Sequence, residues 1–290
     1  MPPDSTVAYG IRLLALALAT ALAAAGPGID GAIPEQEPDR AVVWAVGDGA
    51  DGSDLARRVA RLIRRDDPDR LLYLGDVYNS GTRSDFEVNF AGVYGRRLVR
   101  ITEPTIGNHE WALRRQGYYP FWREVRGRRI RPWYRVQIGG WEVFSLNSEA
   151  AHDEGSRQLR WLERRLRDAA GDCRLAFWHR PRFSAGTAYG DDAGYRPFWR
   201  ALSGHARLVL SGHEHNMQRL RPRGGIVQLV SAAGGTNLYP LRRERRLLFG
   251  RSDRRGAVRL VLTPGSVRIE FRGAGGRVFD RSRVSCSVAP

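Results

Sequence analysis

Short apolar segments alternate with amphipathic ones in the first half of the chain. AVVWAV at 41–46 predicts a buried strand, residues 53–65 predict a helix, and RLLYL at 70–74 predicts a second strand. A mixed segment then leads to EPTI at 103–106, which reads as a further strand. Strands that alternate with helices in this way indicate parallel βαβ units and an α/β fold.

The second half continues with strands of the same kind. WYRVQI and WEVFSL flank Gly139-Gly140 and predict a hairpin, because this glycine pair accepts the positive φ angles of a tight turn. Leu159, Leu162 and Leu166 recur at helical spacing after Ser156, which predicts an amphipathic helix with that serine as N-cap. Further strands are predicted at RLAFW, RLVL and IVQLV, and a C-terminal hairpin around Pro264-Gly265.

The N-terminal region differs from the rest of the chain. Residues 13–25 form an apolar run that follows Arg12 and ends in alanines, a pattern typical of a secretory signal and too short for a membrane span. We therefore expect a signal peptide or N-terminal anchor at 1–25, a linker at 26–40 and one folded domain at 41–285. The protein would be exported, to the periplasm or the extracellular space, with an uncleaved leader as its one membrane contact.

Composition changes this picture in two respects. The net charge is +16, yet the chain has no lysine and all 47 basic residues are arginine. We interpret the charge mainly as the codon bias of a GC-rich genome, so a nucleic-acid partner is possible but not favoured. In an oxidising compartment the two cysteines, Cys173 and Cys286, would pair and tie down the C-terminal tail.

Polar clusters follow the predicted strands of the α/β part. Asp48 follows the first strand, Asp76 and Tyr78 the second, and Asn108 and His109 the third, while His179 follows RLAFW and the pair His213 and His215 follows RLVL. Ligands of parallel α/β sheets bind beyond the carboxyl ends of the strands, so we expect these clusters to converge on one place.

The converging side chains have the chemistry of a metal site. Carboxylate, amide, imidazole and phenol groups suit zinc, iron or manganese, and no thiolate is among them. Their number suits two ions, and Asp76 has two oxygens with which to bridge such a pair. His213 and His215 stand two residues apart after one strand, so each is expected to reach a different ion.

The ordered series Asp48, GDVY, GNHE, His179 and GHEH resembles the calcineurin-like metallophosphoesterase superfamily, and within it the purple acid phosphatase branch. The resemblance covers roughly residues 41–240. It implies a four-layer α/β sandwich in which two mixed β-sheets are flanked by helices. It also implies that Asp48, Asp76 and His215 bind one metal and that Asp76, Asn108, His179 and His213 bind the other.

The resemblance also suggests roles beyond metal binding. His109 would contact the phosphate and protonate the leaving group. One departure concerns the first metal, because Ala50 stands where most of the superfamily has a ligand histidine. Purple acid phosphatases instead use a tyrosinate three residues after the bridging aspartate, whereas Tyr78 stands two residues after Asp76. If Tyr78 binds, iron is favoured there, with zinc, manganese or a second iron as its partner.

The function implied is hydrolysis of small phosphate esters by a dinuclear metal centre and metal-bound hydroxide, with His109 and Asp76 as catalytic residues. Monoesters are the first choice, as for an acid phosphatase. One alternative is a phosphodiesterase or nuclease that acts on nucleotides or nucleic acid. The other is a non-catalytic polyanion-binding protein whose metal site has decayed, as Ala50 would allow.

Overall fold

Two β-sheets form the centre of the fold. The computed structural model describes residues 39–167 and 171–287, so the predicted leader and most of the predicted linker lie outside the described residues. The strands of the described part are β1 Ala41–Val46, β2 Arg70–Tyr73, β3 Thr102–Pro104, β4 Tyr134–Ile138, β5 Trp141–Ser145, β6 Arg174–Phe177, β7 Leu208–Ser211, β8 Met217–Leu220, β9 Val227–Ser231, β10 Leu247–Arg251, β11 Gly256–Thr263, β12 Ser266–Gly273 and β13 Val278–Ser285.

Helices cover the outer faces of both sheets. They are α1 Asp54–Arg65, α2 Arg83–Asp85, α3 Gly92–Arg100, α4 Asn108–Trp111, α5 Tyr118–Arg126, α6 Arg157–Arg167 and α7 Arg196–Leu202, with a π-helical segment at Phe86–Ala91 and a 3-10 turn at Ala193–Tyr195. Among the described residues, no helix is both long and apolar enough to cross a membrane.

Both sheets are mixed, as the fold prediction required. One has the order β13-β12-β11-β1-β2-β3, in which β1, β2 and β3 are parallel and the other three strands pair antiparallel. The second has the order β10-β8-β9-β7-β6-β5-β4, in which β5, β6, β7 and β9 are parallel. The four-layer α/β sandwich is thus confirmed.

The core explains why the strands read as continuous apolar runs. In β1, Val43 and Ala45 pack into the layer between the sheets, whereas Trp44 and Val46 pack against α1, α3 and α5. In β7, Leu208 and Leu210 face the inner layer, and Val209 faces α6 and α7. Because both faces of these strands are buried, their sequences do not alternate between apolar and polar residues.

Local signals in the sequence set several boundaries. Ser53 caps α1 by accepting a hydrogen bond from the Ala56 amide, and Ser156 does the same for α6. Gly139 and Gly140 both have positive φ in the turn between β4 and β5, as the hairpin prediction requires. The predicted hairpin around Pro264-Gly265 is formed by β11 and β12.

The two cysteines are joined in a disulfide, as expected. Cys173 lies directly before β6 and Cys286 directly after β13, so the bond connects the second sheet to the outer strand of the first across 113 residues. Beside it, the Asp172 amide donates a hydrogen bond to the Ser287 carbonyl at 2.8 Å. The C-terminal strand is therefore fixed at the end of β6 that is remote from His179.

We predict that replacing both cysteines by serine lowers the free energy of unfolding by about 2–4 kcal/mol, since the cross-link restricts the unfolded chain. Urea unfolding of the oxidised protein measures the difference. Reductant should bring the wild type to the stability of the variant and leave the variant unchanged. Equal stability of the oxidised wild type and the variant would contradict this.

Candidate metal centre

The polar clusters predicted to converge do meet at one edge of the sandwich. Asp48, Asp76 and Asn108 follow β1, β2 and β3 of the first sheet, and His179 and the pair His213 and His215 follow β6 and β7 of the second. The edge is formed by carboxyl ends of parallel strands from both sheets. Asp48 links the sheets directly, because its Oδ2 accepts a hydrogen bond from the His213 amide at 2.9 Å.

The backbone at this edge is held in an unusual conformation. Five non-glycine residues of the described chain have positive φ, and four of them are Asp48 (57°), Asp76 (67°), His213 (70°) and His215 (51°). Each such residue costs about 1–3 kcal/mol and persists only where its surroundings impose it. Four strained residues in one cluster indicate a functional site.

Glycines allow the loops to approach one another closely. Gly107 leaves room for the Asp76 carboxylate, which a Cβ at this position would overlap. Gly75 has a φ of 95°, and a Cβ there would lie 2.7 Å from His179 Nδ1. The sequence motifs GDVY and GNHE therefore need glycine for steric reasons.

One group of candidate ligands contains Asp48, Asp76 and His215, whose ligand atoms all lie within 4.8 Å of one another. His215 Nε2 is 3.3 Å from Asp48 Oδ1. Tyr78, whose spacing from Asp76 left its position open, also reaches this group. Its hydroxyl lies 3.2 Å from Asp48 Oδ1, 3.3 Å from Asp76 Oδ2 and 3.1 Å from His215 Nε2.

The second group contains Asp76, His179 and His213, again within 4.8 Å. His179 Nε2 is 3.3 Å from Asp76 Oδ1, and His213 Nδ1 is 3.1 Å from His179 Nε2. Asn108 Oδ1 lies 3.0 Å from the same His179 nitrogen. Asp76 therefore belongs to both groups, as the bridging role predicted for it requires.

Backbone carbonyls orient two of the imidazoles. The Nδ1–H of His179 donates to the Leu74 carbonyl at 2.9 Å, and that of His215 donates to the Asn237 carbonyl at 2.8 Å. A carbonyl can only accept, so in each ring Nε2 is left to face the ligand group. Such a second hydrogen bond is typical of metal-ligating histidines.

The buried charges favour a cation. Burial raises the pKa of Asp76, but His179 outweighs it and lowers the pKa of this carboxyl. Burial lowers the pKa of His179, but Asp76 outweighs it and raises this pKa to about 10. Burial, with His179 and Arg180, lowers the pKa of His213 to about 2, which keeps that imidazole neutral. Carboxylate, amide, imidazole and phenol donors together fit iron, zinc or manganese.

The phenol of Tyr78 depends on the same charges. Burial, together with Asp48 and Asp76, raises its pKa far above the ordinary value, so the hydroxyl is neutral beside the carboxylates. A cation next to the oxygen would act in the opposite direction. Ala50, which occupies the position where most of the wider superfamily has a ligand histidine, is fully buried.

Glu110 fixes the loops that carry Asp76 and Asn108. Its buried carboxylate accepts hydrogen bonds from the amides of Gly107 (2.8 Å), Val77 (3.1 Å) and Asp76 (3.2 Å). The loops after β2 and β3 are thereby joined through one side chain.

His109 lies at the open side of the site. Its side chain is 36% exposed, and Nε2 is 3.9 Å from Asp76 Oδ2. Nδ1–H donates to the Asn79 carbonyl at 2.6 Å, and the ring packs against Tyr78. The ring is therefore oriented with Nε2 available to a ligand.

Three residues without a role in the sequence analysis border the site. Arg180 Nη1 donates to His213 Nε2 at 3.1 Å. Tyr189 stacks on His213 and Tyr239 stacks on His215, with ring centroids 4.0 and 4.3 Å apart. The signal for Arg180 was its place directly after His179, but arginine is too frequent in this chain for that to count.

Comparison with known families identifies the part of the chain that matches a family profile. The profile of a family described as calcineurin-like phosphoesterases matches residues 41–217, which is more than half of the chain. This range includes every member of both ligand groups. A search of curated protein sequences found no match.

Solved structures share the fold at low sequence identity. A purple acid phosphatase from yellow lupin (Lupinus luteus) seeds is 17% identical with a TM-score of 0.72 over 86% of this chain, which spans 55% of the lupin protein. GAP50, described as the anchor in the inner membrane complex of Plasmodium, is 13% identical with a TM-score of 0.69, covering 85% of this chain and 89% of its own. A dimetal phosphatase from Danio rerio is 13% identical with a TM-score of 0.57, covering 84% and 98%.

We predict that Glu110→Ala lowers the free energy of unfolding by about 1–3 kcal/mol, because buried amides lose their acceptor. Denaturant unfolding measures the change, and Glu124→Ala, which removes an exposed carboxylate, serves as the control. Equal stabilities of the two variants would show that Glu110 does not hold the loops together.

Proposed function

This chain belongs to the calcineurin-like phosphoesterase family, as its motifs predicted, and we propose that it hydrolyses phosphate monoesters at a centre of two metal ions. The observation that carries the proposal is the sharing of Asp76 by two groups of candidate ligands. Two ions that share a carboxylate suit in-line displacement at phosphorus. The fold similarity to a purple acid phosphatase supports monoesters as the preferred substrates.

Each ion would be held by its own set of residues. Asp48, Tyr78 and His215 would bind the first together with Asp76, and Asn108, His179 and His213 would bind the second. When bound, the metals supply positive charge at the phosphoryl oxygens and activate water as a nucleophile. The phenol of Tyr78 favours iron in the first position, and iron, zinc or manganese suits the second.

The chain itself contributes orientation and a proton. Glu110 joins the loops that carry Asp76 and Asn108 and would keep these two side chains in a fixed relative position. This would limit the movement of the ligands during the reaction. His109 would give the proton on Nε2 to the leaving oxygen while its Nδ1–H stays bonded to the Asn79 carbonyl. General acid catalysis of this kind contributes about 10²–10⁴-fold.

Two other functions remain as outcomes of the tests. A diesterase would use the same centre, and the basic composition would suit a polyanionic substrate. A binding protein without activity is the other, and the similarity to the Plasmodium protein described as an anchor gives it some support. The two groups of candidate ligands favour a catalytic protein, monoesterase or diesterase, over a binding protein without activity.

We also propose that the protein acts after export. The apolar run at 13–25 and the Cys173–Cys286 disulfide support an oxidising compartment. Fractionation of cells of the source organism tests this, since recovery of the full-length chain in the cytoplasm would contradict it.

Hydrolysis of p-nitrophenyl phosphate and bis-(p-nitrophenyl) phosphate tests the function. The protein is chelated and then reconstituted with iron, zinc or manganese. We expect activity that is lost on chelation, restored by metal and greater on the monoester. Greater activity on the diester would favour the diesterase, and inactivity of the folded protein with every metal on both substrates would contradict the proposal.

The role of His109 is tested by His109→Ala. We expect kcat on a monoester to fall by about 10²–10⁴-fold while the metal content stays unchanged, because the residue would donate a proton rather than bind metal. A loss of metal together with activity would instead assign His109 to the integrity of the centre.

Tyr78→Phe tests whether the phenol binds iron. A phenolate bound to iron(III) absorbs visible light, so the iron-loaded wild type should be coloured and the variant should lose the band. Tyr94→Phe removes another buried hydroxyl, which has no hydrogen-bond partner in the described part of the chain, and should keep the colour. An unchanged spectrum in Tyr78→Phe would exclude Tyr78 as a ligand.

A further inference from the structure

A pocket of about 280 Å³ opens beside His213, between Arg180 and the loop that carries Tyr189. We propose that it receives a planar base joined to the phosphate through a sugar, so that nucleoside monophosphates are the preferred substrates. Tyr189 would stack on the base, and Arg180 would bind the phosphate. This inference rests on the proposed phosphomonoesterase function and specifies its substrate class.

Tyr189 presents an exposed aromatic side chain at the site. One face stacks on His213, with an interplanar angle of 28°, and Tyr239 contacts the ring in a T-shaped arrangement with centroids 6.1 Å apart. The residue is still 53% exposed, and it lines the pocket. An aromatic residue this exposed beside a candidate metal ligand offers a stacking surface to any base, because every base has a π-face.

Arg180 is fixed for an anion. Its Nε donates to Glu149 Oε1 at 3.0 Å and Oε2 at 3.3 Å, and Ser148 Oγ donates to the same carboxylate at 3.0 Å. Nη1 is thereby directed to His213. A half-buried guanidinium held in this way presents donors that match phosphate oxygens.

Two acidic side chains of the pocket disfavour phosphate beside them. Asp191 and Asp192 line it, and both carboxylates are engaged, Asp191 by Arg246 and by the Ser184 amide, and Asp192 by the Gly194 amide. Carboxylate oxygens repel phosphate but accept hydrogen bonds from sugar hydroxyls. The charges therefore orient a substrate with its phosphate towards Arg180 and its sugar towards the aspartates.

The position of Tyr189 favours a substrate that has a sugar between its base and its phosphate. His213 belongs to a ligand group with the shared Asp76, and its ring stacks on Tyr189 with centroids 4.0 Å apart. A base joined through a ribose would extend further from phosphorus than a ring bonded directly to the ester oxygen. A ribose supplies the distance needed to pass His213.

Adenosine 5′-monophosphate and ribose 5-phosphate provide the test, because the bond broken is the same and only the base differs. In metal-loaded wild type we expect kcat/KM to be about tenfold or more higher for the nucleotide. Tyr189→Ala should lower the nucleotide value by about tenfold and change the ribose 5-phosphate value by less than about twofold. Tyr189→Phe keeps the ring and should keep the preference.

Arg180 is tested separately with inorganic phosphate as a competitive inhibitor. Arg180→Gln should raise its inhibition constant by about tenfold or more and raise KM for both substrates, with partial recovery in Arg180→Lys. Arg200→Gln removes the same charge at an exposed position that pairs with Glu154 and does not line the pocket, and it should leave both constants unchanged. Equal effects of the two glutamine variants would reduce the role of Arg180 to general charge.

Failure of this inference is distinguishable from failure of the proposed function. Equal kcat/KM for the two substrates in the wild type would overturn the pocket assignment while the phosphatase function stands. If no ester is hydrolysed with any metal, calorimetric binding to the metal-loaded protein decides. Tighter binding of the nucleotide that is lost in Tyr189→Ala would support the pocket, and equal binding of the two compounds would overturn it.

Discussion

The charge of Asp76, a carboxylate that is 1% exposed at the edge of the sandwich, is the constraint on which the site depends. A buried charge is costly unless it is paired and hydrogen-bonded. The Asp76 carboxylate is paired with the imidazole of His179 and accepts hydrogen bonds from the amide of His109 and the hydroxyl of Tyr78. These partners come from three different loops, so the same charge that would hold metals also determines how the loops meet.

The fold brings the site loops together, and residues of these loops adopt strained backbone conformations. Parallel strands in both sheets end at one edge, and residues at their ends turn into the left-handed region to aim side chains at a common point. Glu110 and Asp48 hold that arrangement through backbone amides, one between the loops after β2 and β3 and one between the sheets. The protein's own hydrogen bonds therefore hold the loops in this arrangement.

Most of the fold could be predicted from the sequence, because buried strands and the amphipathic helices α1 and α6 have distinct patterns of apolar and polar residues. It contained less of the sheet edges: β10 and β13 are arginine-bearing and partly exposed, and were not predicted. The ligand set followed from polar residues after strands together with the family resemblance. Whether Tyr78 contacts the ligand groups, and where Tyr189 lies, depend on loop paths that single-residue patterns do not encode. Arg180 could not be singled out because arginine occurs throughout the chain.

Metal content per chain tests the central claim, that Asp76 organises two metal positions, most directly. Elemental analysis of wild type and Asp76→Asn, both folded by circular dichroism and equilibrated with excess metal, gives the stoichiometry. We expect two ions per wild-type chain and a loss of both, or a residual single ion, in the variant. Retention of two ions by Asp76→Asn, or no more than one ion in the saturated wild type, would contradict it.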